Sequence, residues 1–267
     1  MEMRDVKQAA REAGDHPAVE GLARVGYAVS GVMHLLIAWI GLQLAWAGTT
    51  QSADQSGALQ SLAGNGIGKL TLWVAVVGFL GLALWQVTEA VGGYHGTGAR
   101  KWGERLKALA KAVVYAALAW TSFAFARGQV GKSGKQQTVD FTASLMSRSG
   151  GRTLVMLVGL VVIGVGVYHV VKGAKKKFLR DLVEHPGTVA VRAGQIGYVA
   201  KGIALVIVGL LFVVAGAQKS PGKATGLDGA LHVLRAQPMG PALLTVVSLG
   251  FAAYAVYSFA RARYARV

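Results

Sequence analysis

Glu89, Lys111, Lys172 and Lys201 are charged residues set inside or at the edge of long apolar stretches. A charge near a bilayer centre costs about 2.5–3.5 kcal/mol unless it is paired or reaches an interface, so each is an ion-pair or pathway candidate. All four fall within a turn or two of one end of their stretch, where long side chains extend their charged tips to water. Glu89 is therefore expected to pair with Lys111, across the hairpin, or with Lys201. His34 lies deeper, with Gln43 further along the same stretch, and Gln86 and Thr121 could join them to line a polar path. A histidine satisfied by a neighbouring helix carbonyl is the simpler reading of His34. Haem ligation would need a second imidazole at the same depth, and His169 is shallower. His16 and His185 stand beside prolines, where a turn accounts for them. Asp54, Asp140 and Asp228 fall between stretches and could attract cations as a ring. The alternative is helix capping and solvated loop charge, which we favour because Asp54 is out of register with the other two.

No other chemistry is legible. The chain has no cysteine, which excludes thiolate nucleophiles and thiolate metal ligands. No carboxylate pair, metal-ligand spacing or phosphate-binding glycine loop emerges, so no enzyme activity, cofactor or metal is expected.

The elements that hold these residues follow from composition. The chain has 267 residues, 53% hydrophobic and 15% charged, with a mean hydropathy of +0.45, too apolar for an ordinary soluble domain. A helix crosses a hydrocarbon core with about 20 apolar residues, and six stretches qualify: roughly 22–47, 70–93, 108–128, 153–174, 195–217 and 242–261. The third is the weakest, with Lys111 at one end and Thr121 and Ser122 inside.

Orientation follows from the cations, which cytoplasmic loops retain. With the N-terminus inside, the outer side keeps nine of the 28: Lys69, Arg127, Lys132, Lys135, Arg148, Arg152, Lys219, Lys223 and Arg235. Both termini are thus expected in the cytoplasm, although the five cations from Arg127 to Arg152 argue the other way. The positive balance points to anionic lipid headgroups on the cytoplasmic side and not to nucleic acid, because no groove-reading module accompanies it. Residues 1–19 read as a cytoplasmic polar helix and not as a signal peptide.

The chain also repeats itself. DHPAVEGLARVGYAVSG from Asp15 returns as EHPGTVAVRAGQIGYVAKG from Glu184, and at one fixed pair of offsets Trp85 falls opposite Tyr168 and Tyr257. The same offsets align Leu62 with Leu145 and Leu234, Gly68 with Gly151 and Gly240, and Leu72 with Val155 and Leu244. Three repeats result, 20–103, 104–183 and 184–267, each a helical hairpin. Because a two-span unit returns the chain to the side it left, the copies share one orientation, giving an all-α membrane protein with pseudo-threefold symmetry about the membrane normal. Gly26, Gly31, Gly78, Gly81, Gly164, Gly197, Gly202 and Gly250 are expected where helices approach closely. Each outer loop predicts a short helix, capped at Ser56, Asp140 or Asp228.

Three two-span units, the Arg24-Val-Gly26-Tyr27 entrance, the outer Asp-Gly-Ala-Leu pattern and an aromatic near the inner end of each second span resemble an actinobacterial membrane family known only as a domain of unknown function. The resemblance covers residues 20–263 and implies a bacterial plasma-membrane protein, with no activity to carry over. The middle repeat lacks the Gly-Tyr pair. The expected function is a non-enzymatic structural or accessory component that binds lipids or a membrane protein partner. A small channel or transporter along the symmetry axis is the alternative.

Overall fold

The computed structural model describes residues 3–14, 16–93, 99–129 and 132–265, so Asp15 and Arg266 lie outside the described residues. The described residues form ten α-helices: α1 (Met3–Gly14), α2 (Pro17–Trp46), α3 (Gln55–Ala63), α4 (Gly66–Thr88), α5 (Ala99–Ala126), α6 (Gly134–Met146), α7 (Gly151–Ala174), α8 (Thr188–Ala217), α9 (Gly226–Arg235) and α10 (Gly240–Tyr264). Six are long and apolar enough to cross a membrane, namely α2, α4 with its following turn, α5, α7, α8 and α10. Among them α5 has the lowest mean hydropathy, 1.5 against 2.5 for α7 and α8. The remaining helices are the polar N-terminal one and three short helices, one per repeat, in the loops expected on the outer side.

The sequence columns acquire a physical cause here. A side chain on Gly68 would run into the carbonyl of Leu62, one on Gly151 into that of Leu145, and one on Gly240 into that of Arg235. Each glycine lies where a short outer helix folds sharply into the next span, a place no β-carbon fits. Leu72, Val155 and Leu244, at the same point of each copy, are buried.

The outer helices start earlier than their sequences predict. Asp54 and not Ser56 caps α3, Ser133 caps α6 so that Asp140 falls in mid-helix, and Asp228 lies in the first turn of α9. Gly226, the first residue of α9, has a left-handed backbone at φ 65°, a conformation glycine adopts without steric cost.

The chain divides into two compact units: Met1–Ser30, Leu62–Gln129 and Ser258–Val267 form one, Gly31–Ser61 and Val130–Tyr257 the other. In the first, α4 packs on α5, with Phe79 stacked on Tyr115 at 6.3 Å and Trp73 edge-on to Phe123 at 5.8 Å. The amphipathic helix α1 lies against a π-turn, Glu89–Gly93, that ends α4's span.

In the second unit α7 and α8 form an antiparallel zipper. Gly159, Gly166 and Gly173 recur every seventh residue of α7, as do Gly202, Gly209 and Gly216 on α8. A β-carbon on Gly166 would lie 2.7 Å from the carbonyl oxygen of Gly202, and one on Gly159 2.7 Å from that of Gly209. Glycine at both sides lets the backbones touch, which is how apolar helices gain contact where lipid removes the hydrophobic drive. Gly164, expected in such a contact, faces open space, because the seven-residue period places Gly159 and Gly166 on the packed stripe instead. Arg152, at the start of α7, donates from Nε to the carbonyl of Gly216 at 3.2 Å and so satisfies the C-terminal end of α8.

Candidate functional site

The second unit gathers one polar cluster inside its spans. Lys201 Nζ of α8 lies 3.3 Å from His34 Nε2 of α2 and 4.4 Å from the ring centroid of Tyr254 on α10. The His34 ring is 4.6 Å from that of Tyr254 and 6.1 Å from that of Phe251. His34 is 7% exposed and Lys201 half-buried. The sequence places Lys201 near the inner boundary and His34 deeper, and the long Lys201 side chain brings its ammonium to the imidazole. Helix α8 begins at Thr188, so Lys201 lies about 20 Å along it at 1.5 Å per residue. His34 Nε2 thus faces the amine of Lys201.

Aromatic residues continue the cluster towards the α7–α8 turn. Tyr198 packs edge-on to Tyr254 at 5.2 Å and stacks on Phe178 at 5.3 Å, while the hydroxyl of Tyr257 donates to the carbonyl of Phe178 at 3.3 Å. His169 approaches Tyr198 at 5.7 Å, and its Nδ1 lies 2.8 Å from the Val165 carbonyl. Lys172 lies 5.2 Å from the Tyr198 centroid and pairs with Asp181 at 2.5 Å. Buried Phe178 thereby anchors a short 3-10 turn, Lys177–Asp181, whose neighbourhood presents Lys175, Lys176, Lys177, Arg180 and Arg192 as exposed cations.

At the other end of this unit the three outer segments clasp one another. The Ala53 N–H donates to Asp228 Oδ1 at 2.8 Å, joining the first and third. The Gly134 N–H donates to Ser56 Oγ at 2.7 Å, joining the second and first. Gly226 lies against Thr138, joining the third and second. The Ser56 hydroxyl in turn donates to Asp54 Oδ1 at 2.6 Å, which also accepts from the Ser56 and Gly57 backbone at 2.9 and 3.1 Å. Burial raises the Asp54 carboxyl above the usual range, against these hydrogen bonds, and the nearby Asp228 charge adds to the rise. Asp140 is exposed, and its hydrogen bonds from Lys132 and Gln136 hold it below the usual range. Lys132, Arg152, and Arg127, which lies 5.7 Å from the Phe123 centroid in the first unit, all have local partners. That gives three of the five cations opposing the orientation rule a structural reason to be where they are.

Gln43 is half-buried on α2. Gln86 is buried in α4, and Thr121 donates to the carbonyl of Ala117 in its own helix at 2.8 Å. Glu89 is half-buried at the start of the π-turn, and Lys111 lies on the exposed side of α5. His16 and His185 do the same job twice, Nδ1 of each accepting the backbone N–H two residues on at 3.2 Å. Among the described residues no three His, Asp or Glu side chains gather at metal-binding distances.

Six apolar helices in three tandem hairpins define a multi-pass membrane protein. The family model for Domain of Unknown Function (DUF1206) matches residues 25–93, 106–176 and 196–265, and the chain belongs to that family. It is 27% identical over 255 residues to the uncharacterized protein YxxB of Bacillus subtilis (strain 168), covering 93% of this chain and 92% of the relative. No solved structure matches.

Proposed function

We propose that the protein is a non-enzymatic structural or accessory component of a bacterial plasma membrane, with both termini in the cytoplasm, and that it holds anionic lipid headgroups at its inner face. The observation that carries this reading is the α7–α8 turn. Phe178, buried among Tyr198 and Tyr257, fixes the backbone, and Lys175, Lys176, Lys177, Arg180 and Arg192 project from it as exposed cations beside an apolar helix. A cation near an anionic membrane surface contributes about 1 kcal/mol. The apolar side of α7, where Leu154, Leu157, Leu160 and Val161 are exposed, supplies contact for the acyl chains. Replacing Lys175, Lys176, Lys177 and Arg180 by Gln is expected to remove the excess of phosphatidylglycerol over phosphatidylcholine among lipids retained by the purified protein. Equal retention by the variant and the parent chain would refute the reading.

A second reading, a small channel or transporter, is favoured by the Lys201–His34 contact within the spans. Its test is ion flux into liposomes that His34→Ala abolishes.

A further inference from the structure

We infer that Lys201, set between His34 and Tyr254, is a binding site for a single anionic group taken up within the spans. Of the chain's 12 acids, none lies in α7, α8, α10 or residues 31–46 of α2, so the span segments of this unit contain no carboxylate. Elsewhere in the unit the protein does supply one: Lys172 has Asp181 at 2.5 Å. Lys201 has instead an imidazole nitrogen at 3.3 Å and an aromatic face at 4.4 Å. An ammonium has donors only, so Nζ donates and Nε2 accepts, which leaves the imidazole hydrogen on Nδ1. The ring face orients the cation. Neither contact cancels its charge. One N–H is used by His34 and the ring covers one side of the ammonium, so donor capacity remains on the half-buried side for an anion to accept.

Two sources carry this chemistry: the phosphate of an anionic lipid entering sideways, and a small inorganic anion such as chloride. The site is separate from the α7–α8 turn and independent of the proposal made for it.

The test uses the full chain, delipidated in neutral detergent. Chloride is titrated against gluconate at constant ionic strength, and phosphatidylglycerol is titrated separately, with the melting temperature as readout. At least one is expected to raise it. Lys201→Met should weaken the concentration dependence roughly tenfold, as loss of a charge-assisted hydrogen bond implies, whereas Lys201→Arg should retain it. Lys201→Gln replaces the Met variant if that one does not fold. The chain with its α7–α8 turn neutralised should keep the effect, which separates this site from the surface one. A response to chloride identifies the inorganic source, and a response to phosphatidylglycerol alone identifies the lipid. No response of the parent chain, or the same response in the Lys201→Met chain, overturns the inference.

Discussion

Lys172 stands over the ring of Tyr198, its ammonium 5.2 Å from the centroid, and Arg261 holds the same relationship to Tyr27 at 4.0 Å. Tyr27 and Tyr198 are the Gly-Tyr entrances of the first and third repeats, while Lys172 and Arg261 share one column near the C-terminal ends of the second spans. The second span of one copy thus covers the tyrosine of another. In the remaining junction both members change together: Glu89 fills the cation column, and Ala110 or Lys111 the tyrosine column. Helix α5 packs on the turn that Glu89 opens.

Glu89→Lys alone should therefore destabilise the protein, and Glu89→Lys with Lys111→Tyr should recover about 1 kcal/mol of the loss. Unfolding in mixed micelles of the four chains of this cycle measures the coupling. Strictly additive effects would show that the two columns do not interact.

The zipper of α7 and α8 gives a position-specific expectation. Gly166→Ile must force the backbones apart, since even a β-carbon there would lie 2.7 Å from the Gly202 carbonyl oxygen, whereas Gly164→Ile enters open space. Overpacking of this kind costs typically about 1–3 kcal/mol. A clear fall in melting temperature for the first variant and little change for the second is expected. Equal effects would contradict the zipper.

Asp54 sets a pH dependence whose sign is fixed by its raised carboxyl. The folded state holds the proton more tightly than the unfolded chain, so stability is greatest at low pH and falls as pH rises from 3.8 through the folded value. Asp140, lowered and exposed, acts in the opposite sense: its contribution is present above 3.8 and lost below it. Asp54→Asn keeps a capping side chain and removes the titration. The difference in melting temperature between parent and variant, followed across pH, should change in favour of the variant as pH rises through that window. A flat difference would show that Asp54 ionises without strain.

The absence of cysteine makes topology directly readable. Ser147→Cys, in the turn after α6, should react with an impermeant maleimide on intact cells. Lys177→Cys, between α7 and α8, should react only after permeabilisation. The reverse pattern would invert the orientation drawn from the cations.

Much of the fold was legible because bilayer thickness is written as runs of apolar residues, and triplication is written as recurring columns. Leu72, Val155 and Leu244 could be aligned, and all three are buried. The early starts of α2 at Pro17 and α8 at Thr188 were not legible, since polar residues such as Glu20 and Arg192 hide the helix ends from a hydropathy reading. The zipper was available as a seven-residue glycine period, yet that period belongs to one helix pair, so comparing repeats missed it. The Lys201–His34 contact left no signal in spacing. Its partners are far apart in sequence, and their repeat counterparts, Ser30 for Lys201 and Leu205 for His34, are different residues.

The guanidinium of Arg24 reaches the backbone carbonyls of Ala262 and Arg263, and Arg261 covers Tyr27. The second helix is thus completed by residues of the tenth, 238 and 239 positions further along the chain. Until α10 has been made, Tyr27 and Arg24 wait in the nascent protein without these partners, and a chain cut before Arg261 should be recognised by the cell's proteases as unfinished.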